Sequence, residues 1–331
     1  MNVLVAGGAG YIGSHTVKRL KQAGHNPIVY DNLSRGHREV IEILGVPAII
    51  ADLNDKSALS NALRQFKIDT VMHFAAYAYV GESVEKPLLY YHNNVATTIS
   101  VLEAMHDAGV ERFVFSSTCA TYGDPEKVPI TEDQRKLPVS PYGRSKLMVE
   151  QILQDQSIAD KKFKFAALRY FNASGAAMDG SLGEDHDPET HLIPVILLAI
   201  LGNKPGLTVF GTDYPTPDGT NVRDYIHVDD LADAHILAME RLREDQPIYC
   251  NLGTGHGFSV KQIIAAAEKV TGKKVPITWG ARRAGDAIAL YADPSRARQF
   301  LGWEAKHKDP ETIIRSAWNW FSKHPKGYAG K

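Results

Sequence analysis

Cysteine is nearly absent: Cys119 and Cys250 are the only two in 331 residues, each set among apolar or small neighbours. Two cysteines make neither a disulfide framework nor a paired-cysteine zinc motif, and they suit a reducing compartment. An excess of either charge sign is absent too. The formal net charge is −1, so no general field gathers nucleic acid or an anionic membrane. Anionic ligands must then be held by local Arg, Lys or backbone N–H groups. Long apolar runs are also missing. The longest, "HLIPVILLAILG" at 191–202, is too short to cross a bilayer and contains Pro194. A strand read from Asn2 leaves no room for a signal peptide. There is no low-complexity tract and no repeat period of 20–50 residues. The exclusions predict a cytoplasmic protein with a small-molecule substrate, no nucleic-acid partner and no membrane.

What is present is a globular composition, 44% hydrophobic and 23% charged, long enough for two domains. Short apolar runs at 2–8, 26–32, 46–52, 68–76, 111–117 and 163–172 read as buried strands separated by helical segments. That alternation predicts an α/β fold, a Rossmann-type doubly wound parallel sheet with a smaller C-terminal α/β substrate domain. The division expected is a dinucleotide-binding domain over 1–172 and a substrate domain mainly over 173–331. The segment 222–243, which carries a clear helix at Asp229–Leu242, is expected to return to the first domain.

"GGAGYIGS" at 7–14 places Gly7, Gly8, Gly10 and Gly13 between a strand and a helix. Small residues there let the backbone turn tightly and let a pyrophosphate approach the helix N-terminus, where unpaired N–H groups point outward. Asp31 closes the second strand, 18 residues after Gly13. A carboxylate at that point accepts ribose hydroxyls and repels a 2′-phosphate, which favours NAD over NADP. It also makes an ordinary strand-end turn, and Arg35 nearby is placed to neutralise a phosphate. Asp52, ending the third run, suits adenine or a turn equally.

The fifth strand ends "FSSTCATYG", with hydroxyls at 116, 117 and 118, and the next helix opens "SPYGRSK". Strand ends at the carboxyl edge of a parallel sheet face its ligand crevice. Tyr142 and Lys146 stand four residues apart and so share one helical face. A phenol near a cation gives up its proton more readily. To act as a base near neutrality, Tyr142 needs its pKa of about 10 lowered by roughly three units, about 4 kcal/mol. Lys146 and the positive charge of NAD⁺ are the groups expected to do this.

These residues resemble the short-chain dehydrogenase/reductase superfamily, with its Ser/Thr and Tyr-x-x-x-Lys triad. Adding "HFAA", "YYHNNV", "RYFNASGA", "GEDHDPETHLIP", "GTDYPTPDGTNVRDYIHVDDLADAH", "YCNLGTG" and "RRAGD" narrows the resemblance to its extended branch and to the UDP-glucose 4-epimerase family, over residues 7 to 286. The resemblance implies an NAD-dependent isomerase of galactose metabolism that works as a homodimer. It implies a transient 4-keto sugar, with NAD reduced and reoxidised within one cycle. Tyr142 would be the base, Lys146 its electrostatic partner and a ribose ligand, and Thr118 a hydrogen-bond partner of the sugar O4. Gly7, Gly10, Tyr11, Ile12, Gly13, Asp31, Asn32, Asp52, Leu53, Phe74, Ala75 and Asn93 match cofactor-lining positions. Asn172, Leu192, Arg223, Arg283 and Asp286 match positions that hold the UDP portion. Arginine near a diphosphate suits its planar, bidentate fork.

Three rivals share the fold. A UDP-pentose 4-epimerase (UDP-xylose/UDP-arabinose) has the same chemistry and needs less room, and "AYVGES" and "GTDY" also resemble that group. A nucleotide-sugar 4,6-dehydratase needs an acid pair after Thr118, where this chain has Cys119 and Ala120. A non-catalytic dinucleotide sensor has no need of Tyr142 with Lys146. Leu290 stands where the family varies in bulk, leaving N-acetylated sugars open, and Ala78 replaces a lysine that some relatives carry near the cofactor. "HDPETH" at 186–191 lacks helical i, i+4 histidine spacing and an evident third ligand, so no metal is expected there.

Overall fold

The computed structural model describes residues 1–242, 247–283 and 286–328. Residue 243 at the end of the expected returning segment, Ala284 and Gly285 of "RRAGD", and the last three residues of the chain lie outside them.

Each apolar run forms a strand: β1 Asn2–Ala6, β2 Asn26–Asp31, β3 Ala48–Ile50, β4 Thr70–His73, β5 Arg112–Thr118 and β6 Lys164–Tyr170. Further strands are β7 Asn172–Ser174, β8 Leu207–Phe210, β9 Val222–Arg223, β10 Tyr225–His227 and β11 Ile248–Leu252. The main sheet is parallel throughout, in the order β11-β6-β5-β4-β1-β2-β3. The order reverses between β1 and β4, which opens a crevice at the carboxyl ends of the strands.

Side chains alternate across each strand, so one run of residues feeds two cores. Val3 and Val5 join a cluster with Val17 and Leu20, whereas Leu4 and Ala6 join Leu59, Val101, Val149 and Leu153. Both faces are covered, and this is why the strands read as continuous apolar runs rather than alternating ones. The helices on the first face are α1 Tyr11–Gln22 and, later in the chain, one spanning Val228–Arg241 that packs against it. The seventh strand, β11, follows that later helix directly. It is drawn from a stretch that the sequence places in the second unit.

Between these come α2 Arg38–Leu44, α3 Lys56–Gln65, α4 Val80–Glu85, α5 Pro87–Tyr91, α6 Thr97–Ala108, α7 Pro141–Ala159 and α8 Leu192–Ile200. The helix 228–241 is α9. The helical stretch from α5 through α6 is interrupted by one π-helical turn, His92–Ala96. Such turns accompany functional sites, and this one carries Asn93 and Asn94.

The smaller unit contains the two-stranded pair β7 and β10, with α8, α10 Val260–Thr271 and α12 Pro310–Phe321, whereas α11 Ser295–Leu301 packs on β11 of the main sheet and on α9. Strands β12 Phe258–Ser259, β13 Ile277–Gly280 and β14 Ala289–Leu290 complete it. Its core is continuous with the first face of the main sheet through Ile193, Ile196, Ile313 and Trp320. No helix among the described residues is long and apolar enough to cross a membrane.

Candidate active site

The glycine turn is held closed by sterics. A Cβ on Gly13 would lie 2.1 Å from the Gly7 carbonyl oxygen, so no side chain fits while α1 starts here. Gly10 caps α1 without any side-chain hydrogen bond, which leaves the first-turn N–H groups of Tyr11, Ile12 and Gly13 unclaimed by a side chain. This suits an anionic phosphate. Asp31 is buried; its two carboxylate oxygens accept from the Ala9 N–H at 3.0 Å and the Leu33 N–H at 2.8 Å, tying the end of β2 to the turn. Burial raises its pKa, and those N–H donors pull the other way. Asn32 donates to Asp52 at 2.8 Å. Leu53 beside Asp52 is buried. Phe74 and Ala75 both donate backbone N–H groups to the Ala6 carbonyl, so β4 ends beside the turn. These residues gather at the carboxyl ends of β1 to β4, and the chemistry of their groups suits a dinucleotide.

The other group of predicted residues meets where β5 ends. Ser140 caps α7, its hydroxyl accepting from the Gly143 N–H at 3.1 Å, and Pro141 fills the first turn, where no N–H is needed. Gly143 allows the close approach: a Cβ there would sit 2.5 Å from the Ala120 carbonyl oxygen. Tyr142, Lys146 and Glu150 follow at steps of four, on the face turned to the sheet. The buried Lys146 ammonium donates to the Ser116 carbonyl at 2.7 Å and lies 4.8 Å from the Phe115 ring centroid. The Thr118 hydroxyl is close enough to Tyr142 to favour its ionised form, and it accepts from the Ala120 N–H at 3.1 Å.

The electrostatics depart from expectation. Burial pushes the Tyr142 phenol above its ordinary pKa, and the Tyr170 hydroxyl adds to this, while the hydrogen bond with Thr118 pulls the other way. Burial draws Lys146 down to about 7, against the pull of Glu150. In the protein alone, then, the pair favours its uncharged forms. The expected lowering of the phenol does not appear, because burial is the largest influence on both groups and the Lys146 ammonium is turned to the Ser116 carbonyl.

Sequence reasoning missed what holds this site in place. Arg169, one residue before the carboxyl end of β6, makes a bidentate pair with Glu150 at 2.8 and 2.6 Å, and the two side chains are only 3% and 4% exposed. Ser117 donates to the same carboxylate at 2.6 Å, and Arg169 also donates to the Tyr122 hydroxyl at 2.9 Å. The signal was a lone arginine inside the apolar run "FKFAALRYFN". Asn94, in the π turn, accepts from the Tyr77 N–H and donates to Ser145 at 3.0 Å. Asn93 donates to the Asn94 side chain at 3.0 Å.

The predicted UDP-side residues are less concentrated. Asn172 opens β7 and Leu192 opens α8. Arg223 donates to the Val222 and Ala287 carbonyls, and it stands 3.8 Å from Asp286. Arg283 is exposed, stacked 3.8 Å from the Phe210 ring centroid. Leu290 pairs in register with Arg223, which puts it on the strand beside that arginine. Ala78 is exposed in the loop before α4. The Tyr11 hydroxyl donates to the Gly175 carbonyl at 2.7 Å, joining the glycine turn to the second unit. The objection to a metal at 186–191, the want of a third ligand, does not survive folding. Glu184 and Glu189 meet His186 and His191, with one donor atom from each within 4.8 Å of the others.

The family model described as "NAD dependent epimerase/dehydratase family" matches residues 3–253. A UDP-glucose 4-epimerase of Lactobacillus helveticus is 51% identical over 332 residues, covering 100% of both chains. The chain belongs to the NAD dependent epimerase/dehydratase family, in its UDP-glucose 4-epimerase branch. Among solved structures, the UDP-glucose 4-epimerase of Brucella ovis in complex with NAD is 50% identical, with a TM-score of 0.94 over 97% of this chain and 98% of that one. The enzyme from Stenotrophomonas maltophila, with bound NAD and formylated UDP-arabinopyranose, is 42% identical, with a TM-score of 0.96 over 98% and 99%. The family is defined by NAD, and the fold and the activity of this branch both follow from membership.

Removing one partner of a buried ion pair leaves the other charge uncompensated, at about 3–5 kcal/mol. Arg169→Leu should therefore lower the urea unfolding free energy by about that amount and reduce turnover through misplaced α7. Restoring both stability and turnover with a second change, Glu150→Leu, checks that the loss comes from the stranded carboxylate.

Proposed function

We propose that the chain interconverts UDP-glucose and UDP-galactose by reversible oxidation at the sugar C4, with Tyr142 as the acid–base group. The observation that carries this reading is the meeting of Tyr142, Lys146 and Thr118 at the carboxyl end of β5. It occurs in a chain half identical, over its full length, to an enzyme of that activity. Bound NAD supplies a hydride acceptor that later becomes the hydride donor, so no external redox partner is needed.

Tyr142 takes the O4 proton as the C4 hydrogen leaves with its electron pair, and gives a proton back to O4 when the hydride returns to the opposite face. Thr118 orients O4 by hydrogen bonding. Lys146 favours the phenolate when charged and is placed to hold the nicotinamide ribose. Because burial raises the phenol and lowers the ammonium, water exclusion makes their mutual charge interaction strong once a third charge enters the site.

The remaining residues take the roles that likeness to the family gives them. Gly7, Gly10, Tyr11, Ile12 and Gly13 form the phosphate turn, Asp31 and Asn32 face the ribose, and Asp52 and Leu53 the adenine. Phe74, Ala75 and Asn93 line the nicotinamide side. Asn172, Leu192, Arg223, Arg283 and Asp286 hold UDP. The dehydratase reading is disfavoured by Cys119 and Ala120, since neither supplies an acid after Thr118; the phenol-only site favours epimerisation.

We place the working unit as a homodimer in the cytoplasm. Val84, Leu88, Leu89 and Met148 lie exposed on the mutually packed helices α4, α5 and α7, and Leu88 is 73% exposed. A second copy of the same face would cover them. Sedimentation equilibrium should give twice the chain mass, and Leu88→Glu should shift it toward the single chain.

Tyr142→Phe should lose at least about 10²-fold in kcat, the scale of one acid–base group, while still retaining NAD by absorbance of the released cofactor. Product analysis after separate incubation with UDP-galactose, UDP-xylose and UDP-GalNAc reports the sugar, and UDP-glucose should be the main product formed from the first. Lys146→Met removes the charge that favours the phenolate, so the phenol pKa rises and the acidic limb of kcat/KM, where the base becomes protonated, should move to higher pH. An unmoved limb would remove Lys146 from that role.

A further inference from the structure

We infer that the loop before α8 is a divalent-metal site of zinc type, formed by Glu184, His186, Glu189 and His191. It lies outside the acid–base site and plays a structural part. His191 Nδ1 lies 2.8 Å from Glu184 Oε1 and 3.1 Å from Glu189 Oε1. His186 Nδ1 lies 3.2 Å from Glu184 Oε1 and 3.5 Å from Glu189 Oε2. A four-coordinate zinc with bonds of about 2.0–2.2 Å separates its donor atoms by about 3.3–3.5 Å. One donor atom from each of the four residues lies within 4.8 Å of the others, so side-chain rotation without backbone movement brings them to that spacing around an ion.

Two atoms of the cluster are left over by the protein's own hydrogen bonding. Glu189 is 8% exposed, yet its Oε2 has no aligned hydrogen bond, and neither has the buried His186 Nδ1. They lie 3.5 Å from one another without a formed hydrogen bond, and a metal bound by both satisfies both at once. The other carboxylate oxygen, Glu189 Oε1, is oriented by the backbone N–H groups of Thr190 and His191 at 2.7 and 2.8 Å. Oriented carboxylates of this kind hold a metal more tightly than freely rotating ones.

The donor set selects the ion. Two imidazole nitrogens with two carboxylate oxygens suit zinc, whereas magnesium and calcium take six or more oxygens. Two carboxylates balance a 2+ ion with neutral imidazoles, so a filled site carries no net charge into the interior. All four ligands come from the protein, which marks a closed, structural site rather than a catalytic one.

The position gives the ion its consequence. His186 packs edge-on against Tyr11 of the glycine turn, with centroids 6.1 Å apart, and against Tyr79 at 6.0 Å. His191 is the residue on which α8 starts, directly before Leu192. An ion here clamps the 184–191 loop to both the cofactor turn and the helix that begins the UDP side.

Untagged holoenzyme, dialysed against metal-free buffer and then equilibrated with zinc chloride and dialysed again, should retain about one zinc per chain by elemental mass spectrometry. A chelator strong enough to strip it should lower the melting temperature, and added zinc should restore it. The double variant Glu184→Gln/His191→Gln should lose the zinc while keeping its far-UV circular dichroism. Retention of less than about a tenth of a zinc per wild-type chain, or an undiminished content in a folded double variant, would overturn the inference. If the double variant does not fold, Glu189→Gln is measured instead and carries the same two outcomes.

Discussion

The structure depends on one buried ion pair. Glu150 and Arg169 meet almost without solvent, and between them they join α7, β5 and β6. Two charges in the interior are stable only when each is fully paired, so the strand and the helix cannot slide past one another without stranding both. One turn earlier on the same helix face, Lys146 reaches the Ser116 carbonyl; one turn before that stands Tyr142. The reacting groups inherit their positions from a charge pair that takes no part in the reaction.

Burial then sets the chemistry. A phenol and an ammonium brought out of water together both resist charging, so each is displaced toward its neutral form rather than toward an internal salt bridge. The site gains a strong response to any further positive charge, because little water is left to screen it. A reaction that returns its hydride and its proton within one cycle needs such reversibility: the phenol must yield the proton and recover it without a large change in free energy.

The two units are joined by contacts that serve both. Tyr11 lies on the glycine turn, donates to Gly175 in the second unit, and packs against His186. Asp224, wholly buried, accepts from Thr254, Gly255 and Ala292, which ties the segments after β11 and after β14 to the end of β9 and so to Arg223. Arg223 itself is held by two backbone carbonyls, leaving its guanidinium oriented rather than mobile.

The residues along the chain determined a good deal of this. Strands β1 to β6 were legible because a sheet covered on both faces demands uninterrupted apolar runs. The glycine turn was legible because a Cβ at Gly13 has nowhere to go. The spacing of Tyr142 and Lys146 was legible because helical periodicity is local. Other features depended on the path of the chain through space. The seventh strand, β11, is short and ordinary in composition, and only its pairing with β6 gives it a place in the sheet. Glu150 looked like any helix-face acid until β6 carried Arg169 against it from 19 residues away. Glu184, His186, Glu189 and His191 follow no helical or strand period; a loop brought their donor atoms together. Local sterics and periodicity can be read one segment at a time, whereas the partner of a buried charge is chosen by how distant segments pack.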